Sequence, residues 1–435
     1  MALSTNEISA AEIEHYFDRL WPLNRSITGD GVRESLEILS ELIDLEIYEV
    51  PSGTECFDWI VPPEWNVKDA WIKNSAGKKI VNFTENNLHL MGYSVPFKGA
   101  LDLSELKSHL YTLPELPNAI PYRTSYYERK WGFCLSYKQY QQLEEDTYTV
   151  YIDSELNENG SMTYGEAILP GKSKEEILLS TYVCHPSMAN NELSGPLVTA
   201  FLYRLINNID DRRYTYRFLF LPETIGAICY LSKYGDHLKK VLKAGYVVTC
   251  AGDDGIFNYK KSRQGNTIAD KAAELALEQI KFEYNIHDFF PYGSDERQYC
   301  SSGFNLPVGS LMRSMYSNYP EYHTSEDNKS FISFLALSES IKIYFEIIKI
   351  IENNKYYLNT NQYCEPFLSN KGIQYLINKN VPGPYSSMQI ILWLLNFCDG
   401  EKDLIEISQF CGVKFDILYE YAQKLTEKDL LELAE

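Results

Sequence analysis

From Glu175 to Asn353 the chain alternates short apolar, β-branched runs with stretches of helical periodicity, and this rhythm constrains the fold more than any other feature. EILLSTYV, RFLFL, AGYVVTC and NLPVGSLM read as strands. Helical patterns lie between them over 195–208, 225–234 and 267–279, and a long amphipathic one over 330–353 follows. Strands alternating with helices predict an α/β fold, a mostly parallel sheet with helices on both faces. Helical patterns at 6–20 and 32–44, and the strand run IDLEIYEVP, are assigned to the same layer.

Two regions break the rhythm. From Cys56 to Tyr164 short alternating runs are punctuated by Pro, Gly and Asn, and four of the six Trp fall here (Trp59, Trp65, Trp71 and Trp131). This texture predicts a β-rich insertion with one short helix over LSELKSHLYTL. YTVYIDSELNENGSMTYGEAILPG reads as two strands joined by an Asn-Gly turn. After NNKYYLNTNQYC come three short helices, at 388–397, 403–410 and 413–425, with Asp399-Gly400 as a turn and a final LLEL. They suit a helix-turn-helix or winged-helix module. The expected domains are therefore 1–55 with 165–356 (α/β), 56–164 (β-rich) and 362–435 (winged-helix-like).

Composition narrows the function classes. A formal charge of −20 argues against a general nucleic-acid binder, since phosphate requires clustered Lys and Arg. The third helix of the C-terminal module, 413–425, has as many acids as bases, which points to a protein partner or a packing role. The 34 Tyr suit binding surfaces or contacts between copies in a homo-oligomer. Nine Cys without a C-x-x-C pair predict buried free thiols rather than a disulfide framework. No apolar run is long enough to span a bilayer, and the amino end lacks a signal-peptide core, so a cytoplasmic protein is expected.

Four polar clusters interrupt the α/β half where strands end: His185 with Asn191 and Glu192, Glu223 with Thr224, Asp253-Asp254, and His323 with Asp327. Ligands of α/β sheets bind outside the carboxyl ends of the strands. Imidazoles and carboxylates converging there make a site suited to Zn²⁺, and a free Glu beside it takes a proton. Each cluster, taken singly, is also an ordinary polar turn. Arg297 and Arg313 either grip a substrate carboxylate bidentately or form ion pairs. No G-x-S-x-G elbow occurs, which disfavours serine hydrolysis.

In order and flanks these clusters resemble the co-catalytic zinc aminopeptidases and carboxypeptidases of the bacterial leucyl-aminopeptidase type. NRSITGDGVRESL, HPSMANNELSGP, PETIGA, GSDERQYC and YPEYHTSEDN together resemble, more closely, a branch of aminopeptidase-like proteins. That branch carries a β-rich insertion and a C-terminal winged helix and is associated with surface polysaccharide biosynthesis. The resemblance implies that His185 and His323 are metal ligands and that Glu223 is the general base. It puts Asn191 at the bridging Asp, Thr224 at a ligand Glu, and Asp253 at the later Asp, with Asp254 as its alternate. Asp327 would be a carboxylate that orients His323 or its loop.

The departures from that pattern are Ser187, Asn191 and Thr224. A neutral amide is a poor bridge between two cations. One zinc held by His185, Asp253 and His323 is therefore expected rather than two, with Glu192 supplying a carboxylate if the loop shifts by one residue. The implied activity is hydrolysis of an amide in a small peptide or amino-acyl sugar. The rival expectation is a degraded hydrolase core that binds a ligand or serves as a scaffold.

Overall fold

A computed structural model describes residues 8–280, 282–373 and 387–434. Residues 6–7, where the first helix was expected to begin, lie outside this set. Two compact units are present, one of residues 1–269 with 283–342 and one of 270–282 with 343–435.

The first unit is built on an eight-stranded mixed sheet. Its central strand, Glu176–Tyr182, is buried at every position and pairs in parallel with Thr215–Leu221 on one side and Leu242–Val248 on the other. Burial on both faces explains why this strand reads as a continuous apolar run. Val308–Met312 continues the parallel order beside Leu242–Val248. At one edge Ser161–Leu169 and then Glu46–Pro51 are added antiparallel; at the other Phe257–Lys260 pairs antiparallel with Val308–Met312 and in parallel with Tyr284–His287. FNYK and YNIH are too short and too polar to be recognised as strands from their residues. Helix Ser194–Asn207 packs on the central strand, and Gly195 lets it approach closely. A Cβ there would lie 2.3 Å from the Val248 carbonyl oxygen.

The insertion forms a four-stranded antiparallel sheet in the order Lys79–Asn82, Glu64–Lys73, Thr147–Asn157, Phe97–Asp102. The two strands around the Asn-Gly turn exist, but they do not pair with each other. Thr147–Asn157 belongs to the insertion and Ser161–Leu169 to the main sheet, so the turn carries the chain between sheets. A single apolar cluster runs from the insertion (Trp65, Val150, Phe133) to Tyr182, Cys184 and Ile225. The insertion is thus packed directly onto the end of the central strand.

The second unit has helices Ser387–Phe397, Leu404–Cys411 and Phe415–Thr426 and a three-stranded sheet. Asp399-Gly400 opens a strand, Asp399–Asp403, instead of forming only a turn. It pairs with Tyr356–Asn359, a strand hidden in the polar stretch NNKYYLNTNQYC, whose other neighbour is Leu431–Leu433. All nine cysteines are free, and eight are buried. No helix among the described residues is long and apolar enough to cross a membrane.

Three strands of the main sheet are tied by Arg217, which is buried with Glu166 and Glu176 and reaches the Tyr230 hydroxyl at 3.0 Å. Burial pushes the Glu176 carboxyl up, but bonds from Arg217 and His237 outweigh it and hold the group below its ordinary value. Its contribution to stability is therefore full above the unfolded carboxylate range and is lost as pH falls from there through the lowered folded value. Replacing Arg217 by Ala strands two buried carboxylates and is expected to cost about 3–5 kcal/mol. Urea unfolding at pH 7 measures this, and the difference from wild type should shrink in acid.

Candidate active site

The site grows from the end of the central strand. After Tyr182 the chain turns through Cys184-His185-Pro186, and residues Ala189–Leu193 form a π-turn ahead of the Ser194–Asn207 helix. Such one-residue bulges concentrate at functional sites because they re-aim side chains. Here the extra residue turns Glu192 back onto the loop. Its Oε2 lies 2.7 Å from His185 Nδ1, and its Oε1 accepts the Cys184 N–H. Buried Arg25, from the NRSITGDG loop, lies 3.8 Å from Glu192 Oε1 and donates through Nε to the His185 carbonyl at 3.0 Å. With Nδ1 donating to Glu192, His185 presents Nε2 as its free lone pair, made more basic by the carboxylate behind it. Burial alone would lower His185, but Glu192 outweighs it and raises the imidazole above its ordinary value.

Two further groups meet that nitrogen. Glu223 Oε2 stands 3.6 Å from His185 Nε2 on a side chain that is 22% exposed. Burial raises the Glu223 carboxyl, with His185 and Arg297 partly opposing the shift. His323 sits with its ring centroid 5.3 Å from that of His185. Its Nε2 is buried and has no partner. Burial and the neighbouring imidazole push His323 down to about 3, so it is neutral and able to ligate near pH 7. An orphaned buried nitrogen on a ring next to a second imidazole, with a carboxylate beside them, supplies the donor types that a zinc ion takes. A second grouping, Cys184 with His185 and Glu192, has ligand atoms all within 4.8 Å of one another. Its His185 nitrogen and Glu192 oxygen are already bonded to each other, which leaves the Nε2 side as the better seat.

The other expected residues have different roles. Asp253 is not brought to the histidines as a ligand. Its oxygens accept from Asn190 Nδ2 (2.7 Å), the Gly255 N–H (2.7 Å), and the Ser314 hydroxyl and N–H (2.6 and 3.1 Å), which engages both oxygens fully. Asn191 does not serve as a ligand or bridge either: its Oδ1 accepts from the Tyr182 hydroxyl at 3.2 Å, and its Nδ2 points to the Met188 sulfur. Asp327 holds the π-turn rather than the His323 ring, accepting the Asn190 and Asn191 N–H groups at 2.6 and 2.9 Å. Burial lifts it to about 7 against the pull of those bonds.

Thr224 donates its N–H to Asp295 and accepts from Arg297 Nη2, both at 2.8 Å. Arg313 is buried under Glu339 (2.5 Å) and the Gly255 and Ala336 carbonyls, so it is a structural ion pair and not a substrate grip.

Two contributors had no role assigned from the sequence, Arg25 and Tyr122. Tyr122 comes from the insertion, and its ring lies 5.1 Å from that of His185 and 5.3 Å from that of His323. Its N–H donates to the His323 carbonyl at 2.9 Å, and its hydroxyl meets that of Tyr126 at 3.0 Å. Tyr322 stacks on His323 at 3.9 Å. The only signal in the sequence was the tyrosine-rich run PYRTSYY. Backbone strain gathers here too: Ser187, Thr224, Cys250, His323 and Tyr126 all have positive φ. Strained residues of this kind cluster at functional sites.

The fold is of the zinc aminopeptidase-like architecture, and comparisons with known proteins agree. Residues 14–354 match a family described as a domain of unknown function (DUF4910), and residues 355–433 match a winged helix-turn-helix. The chain belongs to this family of aminopeptidase-like proteins with a C-terminal winged helix. It is 47% identical over 425 residues, 98% of this chain and 97% of the relative, to a Clostridium acetobutylicum protein named "Putative polysaccharide biosynthesis protein with aminopeptidase-like domain". A crystal structure of a "putative peptidase" from Clostridium acetobutylicum superposes with a TM-score of 0.91 at 46% identity, covering 98% of this chain and 96% of that one. A zinc aminopeptidase from Bacillus subtilis shares the fold, with a TM-score of 0.55 at 12% identity over 78% of this chain and 94% of its own.

Glu192→Ala removes the carboxylate behind His185 and should weaken zinc binding about 10–100-fold. Competition titration against a chromogenic chelator reads this directly, and unchanged affinity would exclude the orienting role.

Proposed function

We propose that the protein is a zinc-dependent hydrolase that cleaves an amide bond in a small peptide or amino-acyl sugar, with Glu223 as general base. One observation carries this reading: His185 Nε2, freed by Glu192, lies 3.6 Å from Glu223, and the ring of His323, whose Nε2 has no partner, is 5.3 Å from that of His185. His185 and His323 would hold one Zn²⁺, which when bound supplies Lewis-acid polarisation of the carbonyl and a more acidic water. Asn191 and Thr224 stand where a second ion would need anions, so a single ion suits this chain.

Glu223 takes a proton from the attacking water and returns it to the leaving nitrogen. A C–O bond forms, the C–N bond breaks, and an acid and an amine result. A carboxyl raised by burial is a better-matched base near neutral pH than an ordinary one. The Tyr122 ring, packed against both imidazoles, shields one side of them from water.

The name of the Clostridium acetobutylicum relative leads us to propose polysaccharide biosynthesis as the setting. For the C-terminal unit we propose a protein partner, because helix Phe415–Thr426 carries Asp416 and Glu420 against one base, Lys424.

Turnover of a panel of aminoacyl chromogenic amides, with and without added Zn²⁺, tests the enzyme. Activity should vanish with chelator and return with zinc. Glu223→Gln should lower kcat about 10²–10⁴-fold while metal content stays equal. Near-zero metal in protein purified without chelator would overturn the reading. The same neutral Asn191 and Thr224, with Asp253 engaged elsewhere, favour a second reading, a ligand-binding or scaffold protein on an old hydrolase core. That reading expects no turnover on any amide of the panel.

A further inference from the structure

Beside Glu223 lies a turn whose polar groups the hydrolysis does not use. Each of the four successive residues Ser294, Asp295, Glu296 and Arg297 keeps a buried side-chain atom without a hydrogen-bond partner. Native folds contain few such atoms, and a run of four calls for a ligand or ordered water. Arg297 stands out among them. Its Nη2 donates to Thr224 Oγ1 at 2.8 Å, and its buried Nε has no acceptor. Among the described residues no carboxylate forms an ion pair with it, whereas Arg25 has Glu192 and Arg313 has Glu339.

A guanidinium with free donors is built to take a planar anion with two parallel bonds. Of the neighbouring acids, Glu223 feels the Arg297 charge but makes no ion pair with it, and the other two do not cancel it. Glu296 is neutralised by Lys260 at 2.6 Å. Asp295 is held well above the ordinary carboxylate range, by burial first and then by Glu223. Thr224, at φ +66°, fixes the hydroxyl to which Arg297 is tethered.

We propose that Arg297 forms an anion subsite beside Glu223, so that the amide processed there carries a carboxylate or phosphate on its leaving amine. This rests on the hydrolase reading. Glu223 touches His185 on the metal side, and Arg297 is joined to the very next residue, Thr224. A substrate whose leaving nitrogen takes its proton from Glu223 therefore brings the substituent on that nitrogen to Arg297.

Calorimetric titration of the full-length, zinc-loaded protein with alanyl-alanine, alanyl-alanine amide and alanyl-aminomethylphosphonate tests this without requiring turnover. At least one anionic ligand should bind about tenfold or more tighter than the neutral amide. Which of the two is preferred separates carboxylate from phosphate. In Arg297→Met the three should bind alike, with zinc content unchanged; Arg297→Lys, a point charge without the fork, should keep part of the preference and serves as the folded control. A preference that survives in Arg297→Met would belong to the metal and overturn the proposal. Equal affinities in the wild type, or no binding of any of the three, would overturn it as well. Loss of the hydrolase reading by absent turnover leaves the charged-against-neutral difference to decide Arg297 separately.

Discussion

The hydrogen bond between His185 Nδ1 and Glu192 Oε2 decides how the rest of the site is arranged. It exists because the 189–193 segment adopts a π-turn and not a regular first helical turn. The turn in turn needs Asp327 beneath its N–H groups and Asn190 bracing the Gly252-Asp253 loop. Asp253, which the family resemblance assigns to a metal, and Asp327, which it assigns to His323 or its loop, thus hold the backbone that aims the imidazole. Each is buried, and a buried carboxylate persists only when its lone pairs are met by donors. Four donors on Asp253 and two N–H groups on Asp327 satisfy that requirement.

This arrangement redistributes charge within the site. Glu192 and Arg25 form a buried pair behind His185, while in front of it stands one carboxylate, Glu223, beside two imidazoles. Neutral Asn191 is turned to Tyr182. In the proposed hydrolase this balance suits a single dication, because a second would find no anionic bridge. Tyrosines take the space around the imidazoles, and their rings lower the local polarity without adding charge.

The parallel core was legible because strands buried on both faces must be apolar throughout, as Glu176–Tyr182 and Thr215–Leu221 nearly are. The loops after those strands were legible for the same reason, since polar residues there interrupt strong apolar signals. Edge strands such as Phe257–Lys260 were not, having too little apolar surface to mark them. His185, Glu223 and His323 come together as their positions at strand ends suggested. A one-residue shift that brings in Glu192 is open to a reading of the sequence, but its bond to His185 Nδ1 from a π-turn is not. Asp253 misled for the opposite reason: its position fits the pattern, but hydrogen bonds from Asn190 and Ser314 fix its direction. Tyr122 left almost no trace, since its importance comes from a contact between distant parts of the chain.

That distance bears on how the protein comes into being. Ile120 bonds to Ser325 across 205 residues of sequence, and Tyr122 bonds to His323 beside it. Bridges of such separation form late, after the loop-closure entropy of the intervening chain has been overcome. On the ribosome, the emerging insertion and central strand can pack together long before the segment bearing His323 has been made. The imidazole pair is therefore completed only after Val308–Met312, the last parallel strand of the main sheet, has been made.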